Sequence, residues 1–148
     1  MAARRSEPVV PRGVVLYWDS SAILSALFSD GHSKEAMAWA RRPGLHLLST
    51  LAWAEVHAVI SRIERERALE RILVNAARET LDRGPWRRVN ASPEWELIRV
   101  LSLRSQLRGA DLWHLSTAKS LQTELPEVKI LSFDTRLRAA ARGEGLAS

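Results

Sequence analysis

Residues 14–21, VVLYWDSS, decide the fold, because they place a carboxylate directly after a buried strand. The run Val14–Trp18 is continuously apolar and rich in β-forming residues, which is typical of a strand covered on both faces. Asp19 follows it, and the sequence Asp19-Ser20-Ser21 can begin a helix over residues 22–28. A buried strand that leads at once into a helix favours a parallel α/β sheet.

The rest of the chain alternates strands and helices in the same way. Further strands are predicted over residues 45–49, 86–90 and 128–133, and further helices over residues 32–42, 51–67, 68–81, 95–107, 110–123 and 135–142. We expect Ser92-Pro93-Glu94 to start the helix over 95–107, with Pro93 at its first helical position. No repeat or linker interrupts the order. One domain over residues 14–148 is therefore expected, after a flexible tail over residues 1–13.

The composition excludes several classes of protein. Among the 148 residues there is no cysteine, which excludes a disulfide scaffold and thiolate metal sites and fits the reducing cytoplasm. No apolar run approaches the roughly 20 residues that a membrane span requires, so no membrane association is expected. The net charge of +5 comes from arginine, which supplies 19 of the 22 basic residues. A polyanionic partner and a compositional bias explain this arginine content equally well.

Four carboxylates stand in apolar surroundings. Asp19 and Asp134 each follow a predicted buried strand, so both should emerge at the same edge of the sheet. Asp111 opens a helix within RGADLWHL, and Glu55 lies on the apolar stripe of a helix within TLAWAEVHAVI. A glutamate on such a stripe is costly to bury unless its charge is compensated.

Each of these acids also has a simple structural explanation. The three aspartates are at positions where Asp caps a helix, which contributes about 1 kcal/mol. Glu55 could pair with Arg62 or Arg65. Capping does not explain why all four acids are expected at the same edge of the sheet. Carboxylates that lie close together repel one another unless a cation is present. Oxygen ligands without cysteine or paired histidine favour Mg²⁺ or Mn²⁺.

The order of these motifs resembles that of PIN-domain nucleases, in particular the VapC-type ribonuclease toxins of toxin–antitoxin pairs. The motifs are YWDSSAILSALF around Asp19, LLSTLAWAEV around Glu55, RGADLWHLSTA around Asp111 and ILSFDTRLRAAA around Asp134. The resemblance covers residues 14–146 and depends on the order and spacing of the four pieces together. It implies a PIN-like three-layer α/β sandwich, with a central parallel sheet of four or five strands and helices on both faces.

The resemblance also implies a metal-dependent endoribonuclease that hydrolyses single-stranded RNA with Mg²⁺ or Mn²⁺. Asp19 and Asp111 would be direct or near-direct metal ligands, and Glu55 a ligand or the group that orients the attacking water. Asp134 would be a further ligand, often through water. Such a toxin implies three partners, which are the RNA substrate, a cognate antitoxin protein and a second copy of the chain.

Two serines and two arginines are the supporting candidates. Ser21 and Ser132 match positions that usually carry Ser, Thr or Asn in the family's acidic pocket, where they would orient a carboxylate or a metal-bound water by hydrogen bonding. Arg108, Arg136 and Arg138 flank the proposed pocket in sequence, and Arg108 and Arg136 are the candidates to hold the RNA backbone. Surface arginines with no substrate role are an equally good explanation.

His114 follows Asp111 by three residues and therefore shares its helix face, but no second histidine has metal-ligand spacing with it, so a packing or supporting role is expected. Three of the tryptophans are expected in the core and three on a dimer or partner surface; the first set is Trp18, Trp53 and Trp113, and the second is Trp39, Trp86 and Trp95.

The main prediction is a toxin nuclease, and two alternatives remain, an RNA-processing PIN nuclease without an antitoxin and a catalytically inactive PIN-fold binding module. A phosphoryl-accepting α/β domain does not fit, because Asp19-Ser20-Ser21 lacks the acidic pair that such domains require. Replacing Asp19 or Asp111 by alanine is expected to abolish cleavage and to leave the fold intact or slightly stabilised.

Overall fold

A computed structural model describes residues 13–147, in which four strands and seven helices alternate along the chain. The expected flexible tail over residues 1–13 lies outside the described residues, apart from Gly13. In chain order the elements are β1 (Val14–Trp18), α1 (Ser20–Leu27), α2 (Ser33–Ala40), β2 (Gly44–Ser49), α3 (Thr50–Arg65), α4 (Arg71–Arg83), β3 (Trp86–Val89), α5 (Trp95–Arg104), α6 (Gly109–Leu121), β4 (Lys129–Leu131) and α7 (Thr135–Gly143).

The four strands form one parallel sheet in the order β3-β2-β1-β4. Tyr17 of β1 pairs with Leu47 on one side and with Ile130 on the other, so β1 lies in the middle of the sheet. The strand over 86–90, the most weakly signalled in the sequence, is present as the edge strand β3. Because all strands run the same way, their carboxyl ends meet at one edge of the sheet.

The alternation of side chains along β1 separates two hydrophobic cores. Leu16 and Trp18 pack into the core that is shared with helices α1 to α4. Val15 and Tyr17 point to the opposite face and pack with α5, α6 and α7. Helices therefore cover both faces of the sheet, which explains why β1 has no charged side chain. The predicted three-layer α/β sandwich is confirmed, with four strands in the described part of the chain.

Three helices begin at the carboxyl edge of the sheet with a side-chain cap. Asp19 accepts a hydrogen bond from the Ala22 amide at the start of α1, and Asp134 accepts one from the Leu137 amide at the start of α7. Ser49 caps α3 in the same way. The capping explanation is thus confirmed for Asp19 and Asp134, and the exposed amides and dipoles of these helix N-termini favour negative charge at this edge.

Several predicted boundaries were wrong, among them the start of α4, which is Arg71 and not residue 68, and the end of α5, which is Arg104 and not residue 107. The strand predicted over 128–133 is limited to Lys129–Leu131, because Ser132 leaves the sheet ladder and hydrogen bonds to Asp19 instead. Helix α5 begins at Trp95 with Glu94 in extended conformation as its N-cap, so Pro93 lies before the helix and not at its first position. Among the helices described between residues 13 and 147, none is both long and apolar enough to cross a membrane.

Candidate active site

Asp19 is the most deeply buried acid of the site, with 3% of its surface exposed. Its Oδ1 accepts hydrogen bonds from the Ser21 hydroxyl at 2.7 Å and the Ala22 amide at 2.9 Å, and its Oδ2 accepts one from the Ser132 hydroxyl. Burial raises the pKa of the Asp19 carboxyl, and these three hydrogen bonds oppose the increase by stabilising the charged form. The fold therefore presents a fixed carboxylate at the end of β1.

Ser21 and Ser132 join the ends of β1 and β4. While each hydroxyl donates to Asp19, the Ser132 oxygen accepts from the Asp134 amide at 3.0 Å and the Ser21 oxygen accepts from the Phe133 amide at 3.3 Å. The turn that carries Asp134 is thus held against the turn that carries Asp19. Both serine hydroxyls thus contact the Asp19 carboxylate.

Asp111 lies in the first turn of α6 and does not cap it, because the N-cap of this helix is Arg108. The capping explanation was therefore wrong for Asp111. Its side chain is partly exposed, and no hydrogen bond to it occurs within residues 13–147. This acid is consequently free to turn, in contrast to Asp19.

The charges of three other acids act on the Asp111 carboxyl. Partial burial raises the pKa of the Asp111 carboxyl, and the nearby carboxylates raise it further. Those carboxylates are Asp134, Asp19 and Glu55. Each belongs to a different part of the chain, so the fold brings together residues that are far apart in sequence. We call Asp19, Glu55, Asp111 and Asp134 the acid cluster.

A cavity of about 310 Å³ opens beside two members of the acid cluster. Its lining residues are Leu107, Arg108, Asp111, Asp134, Thr135 and Arg136. Arg108 precedes α6 and Arg136 lies in the first turn of α7, so both guanidinium groups are placed by the same helix starts as the two acids. A negatively charged centre with positive charge on its rim can hold a polyanion next to the acids without neutralising them.

Glu55 has a different partner from the arginines that the sequence suggested. Its Oε1 lies 2.8 Å from Nε2 of His114, and no ion pair to Arg62 or Arg65 occurs in the described residues. His114 in turn contacts the hydroxyl of Tyr17. The spacing between Asp111 and His114 placed the histidine on the right helix face, but no local pattern could name Tyr17 as its second partner.

Aromatic side chains near the site differ in part from expectation. Trp86 is buried against Trp18, with ring centroids 5.4 Å apart, so its expected place on a partner surface was wrong. Trp95 is 91% exposed. An exposed His32 ring stacks on Phe133, the residue between Ser132 and Asp134, at 4.5 Å between centroids. The sequence carried no signal for that pair, because it joins two loops.

The acid cluster fits a hard divalent cation by donor type and by charge. Its donors are carboxylate oxygens, which Mg²⁺ and Mn²⁺ prefer, and partial burial together with repulsion from the other acids raises the pKa of Asp111. No group of three or more His, Asp or Glu side chains within residues 13–147 is already arranged to hold a metal ion. Asp111 is partly exposed and its side chain has no hydrogen bond within residues 13–147, so rotation of this one side chain could bring it into a ligand set.

The fold and the site define a three-layer α/β domain with an acidic centre at the carboxyl edge of its sheet. The family model of the PIN domain matches residues 16–143, and the chain belongs to the PIN domain family. PIN domains are generally nucleases. Among curated proteins, none matches this sequence significantly.

Two solved structures share the fold. VapC20 from Mycobacterium tuberculosis, described as a toxin that cleaves the sarcin-ricin loop, aligns with a TM-score of 0.55 at 17% identity, over 84% of this chain and 94% of its own. PAE2754 from Pyrobaculum aerophilum aligns with a TM-score of 0.58 at 15% identity, over 88% of this chain and 81% of its own. At these identities the likeness is one of fold.

Proposed function

We propose that the protein is a Mg²⁺- or Mn²⁺-dependent endoribonuclease that acts as the toxin of a toxin–antitoxin pair in the cytoplasm. The observation that carries the proposal is the acid cluster, in which separate elements deliver four carboxylates to one sheet edge within electrostatic range of Asp111. Membership of a nuclease family supports the type of reaction. The reaction is hydrolysis of a phosphodiester bond in single-stranded RNA.

The members of the acid cluster have distinct roles in this proposal. Asp19 is the fixed ligand, because three hydrogen bonds hold its carboxylate. Asp111 is the adjustable ligand, and Asp134 is a further ligand whose Oδ1 also caps α7. Glu55 binds the ion or orients the attacking water. When bound, a divalent ion lowers the pKa of a nearby water and stabilises the charge that develops on the phosphate.

Arg108 and Arg136 bind the RNA backbone in this proposal. Both line the same cavity as Asp111 and Asp134. A guanidinium group can form two parallel hydrogen bonds to two oxygens of one phosphate. Within the described residues neither arginine forms an ion pair with a carboxylate, so both are available to a phosphate. The phosphate chain would then lie along the rim while the scissile bond faces the acid cluster.

The toxin role is supported by a solved structure of the same fold. VapC20 is a toxin that cleaves the sarcin-ricin loop, and its fold is shared over most of both chains. A toxin requires a cognate antitoxin to silence it, and a second copy of the chain is the remaining expected partner. Exposed large apolar side chains are consistent with such protein contacts; they include Ile72, Leu73, Trp95 and Leu103.

Expression without any partner protein tests the proposal. The wild type, Asp111→Asn and Asp82→Asn would be induced separately, and growth and new RNA ends would be followed. Asp111→Asn removes a charge without breaking a hydrogen bond in the described structure. Asp82→Asn is the same change at an exposed position of α4, where Asp82 forms only a long surface ion pair with Arg88, at 3.7 Å. We expect arrest and discrete RNA cuts with the wild type and Asp82→Asn only.

Other outcomes would change the conclusion. Cleavage by Asp111→Asn at the wild-type rate would contradict the site. RNA cleavage by the wild type without growth arrest would favour an RNA-processing nuclease that needs no antitoxin. Absence of both cleavage and Mn²⁺ binding would favour an inactive binding module.

A further inference from the structure

Tyr17, His114 and Glu55 form a chain of hydrogen bonds that leads from the interior of the domain to the acid cluster. Tyr17 Oη lies 2.6 Å from His114 Nδ1, and His114 Nε2 lies 2.8 Å from Glu55 Oε1. These residues come from β1, α6 and α3. Tyr17 and His114 are buried, with 1% of His114 exposed, whereas about a third of the Glu55 side chain reaches solvent.

A carboxylate oxygen can only accept a hydrogen bond, so the contact with Glu55 assigns a hydrogen to Nε2 of His114. In the neutral ring Nδ1 is then an acceptor, and the Tyr17 hydroxyl, which like any phenol is protonated at neutral pH, can donate to it. A ring that accepts at Nδ1 carries its hydrogen on Nε2, and that hydrogen faces Glu55. The carboxylate is thus held by a donor on a buried ring whose orientation the neighbouring strand determines.

Only one oxygen of Glu55 is engaged by this contact. Oε1 receives the histidine hydrogen, and no hydrogen bond to Oε2 occurs within residues 13–147. Glu55 lies near enough to Asp111 for its charge to act on that carboxyl. The arrangement anchors one oxygen and leaves the other available for an ion or a water.

The opposite face of β1 carries a matched pair without this function. Trp18 Nε1 donates to Nδ1 of His46 at 3.0 Å, and His46 Nε2 lies 2.8 Å from the carbonyl oxygen of Arg42. His46 is about as deeply buried as His114. Its ring is held by Trp18, which follows Tyr17 in β1. The difference is the final acceptor, which is a backbone carbonyl for His46 and a cluster carboxylate for His114.

From this difference we infer that His114 is a positioning residue that holds Glu55 in the acid cluster, and that Tyr17 selects the histidine tautomer which does so. The inference rests on the proposed function, because it assigns a purpose to Glu55 in that site. It gives His114 a role beyond filling the core, since a core role alone would make His114 and His46 equivalent.

Kinetics of purified variants test the inference. His114→Gln, Tyr17→Phe and the control His46→Gln would be compared with the wild type for kcat and KM on single-stranded RNA. Loss of a group that holds a metal ligand typically lowers activity or metal affinity about 10–100-fold. We expect a loss of this size in kcat for His114→Gln, a smaller loss for Tyr17→Phe, and KM changes within about twofold for both.

Two readouts do not depend on catalysis. Calorimetric titration with Mn²⁺ should show affinity lowered by about 10–100-fold in His114→Gln and unchanged in His46→Gln. In the metal-free wild type, ¹⁵N chemical shifts of the ring should show a proton on Nε2 of His114. A proton on Nδ1 alone would place a lone pair against Glu55 and would overturn the inference.

The outcomes separate this inference from the proposed function. If the wild type binds Mn²⁺ with an affinity that falls in His114→Gln, but cuts no RNA, the proposed function fails and the positioning role stands. If His114→Gln and His46→Gln lose kcat, Mn²⁺ affinity and stability equally, His114 is only a core residue. A wild type that neither cuts RNA nor binds Mn²⁺ overturns both. If His114→Gln does not fold, Tyr17→Phe decides by the same measurements.

Discussion

The hydroxyl of Ser132 lies 2.5 Å from Oδ2 of Asp19, across 113 residues of sequence. This contact joins the end of β4 to the end of β1 at the point where the acid cluster forms. Since Ser132 also accepts the Asp134 amide, one hydroxyl sets the relative position of two acids. Ser132 therefore connects the stability of the sheet edge with the geometry of the site.

Replacing Ser132 by alanine should destabilise the protein and reduce cleavage. A hydrogen bond to a charged group contributes about 1.5–3 kcal/mol, and Asp19 is too buried for water to replace the missing donor. Urea unfolding would measure the free energy of unfolding, with Ser102→Ala as control because Ser102 is exposed and bonds only within α5. A change below about 0.5 kcal/mol, the size typical of surface substitutions, would show that the contact matters little.

Asp19→Ala should unfold more easily than Asp19→Asn. Alanine removes the cap of α1, which costs about 1 kcal/mol, and leaves the Ser21 and Ser132 hydroxyls without their acceptor. Asparagine keeps one side-chain oxygen as acceptor and also avoids burying a charge. From the sequence, Asp19→Ala was expected to leave the fold intact or slightly stabilised. The hydrogen bonds of Asp19 instead predict that the free energy of unfolding falls by about 1–3 kcal/mol. Thermal unfolding of both variants would decide, and equal stability would mean that the cap contributes nothing.

Asp111→Asn should make the metal-free protein more stable near neutral pH. The folded-state pKa of Asp111 is raised, so the stability linked to its protonation is present at acid pH and lost as pH rises through that pKa. The advantage of the variant should accordingly be greatest at pH 7 and vanish toward pH 4. It should not exceed about 1 kcal/mol, because the side chain is partly solvated.

Unfolding curves across this pH range, with and without Mn²⁺, would measure the effect. Because an ion that binds only the folded state stabilises it, Mn²⁺ should raise the stability of the wild type more than that of Asp111→Asn. An equal response of both proteins to Mn²⁺ would contradict a role for Asp111 in binding the ion.

Much of the fold was predictable because its signals are local. The apolar run Val14–Trp18 and its terminal Asp19 need no long-range information, and the strand–helix alternation defines a parallel sheet. Capping by Asp19 and Asp134 was also predictable from position alone. The four acids could be selected because each was out of place in an apolar or strand-end context.

The contacts between distant segments were not predictable. Glu55 was matched with arginines on its own helix, whereas its partner His114 is 59 residues away. The sequence around Trp86 did not indicate burial, because its neighbours Arg87 and Arg88 are exposed. Its ring is buried against Trp18, which belongs to a distant strand of the same sheet. Local patterns report periodicity and capping, but they do not report which buried side chains meet across the sheet.

Arg108→Ala and Arg136→Ala should weaken RNA binding without a comparable loss of kcat. Each arginine lines the cavity beside Asp111 and Asp134, so its removal takes away a positive charge that faces the phosphates and leaves the acids in place. The slope of log affinity against log salt should become shallower by about 0.7 for every phosphate of a single strand that the variant no longer neutralises. Arg136→Lys should keep the salt dependence but lose affinity, because lysine cannot form the bidentate contact with phosphate that a planar guanidinium group forms.

Arg83→Ala is the control, since Arg83 is exposed on α4 and paired with Glu79. Salt titrations of RNA binding by the five proteins would test this, and an unchanged slope in both cavity variants would mean that these arginines are only surface charge.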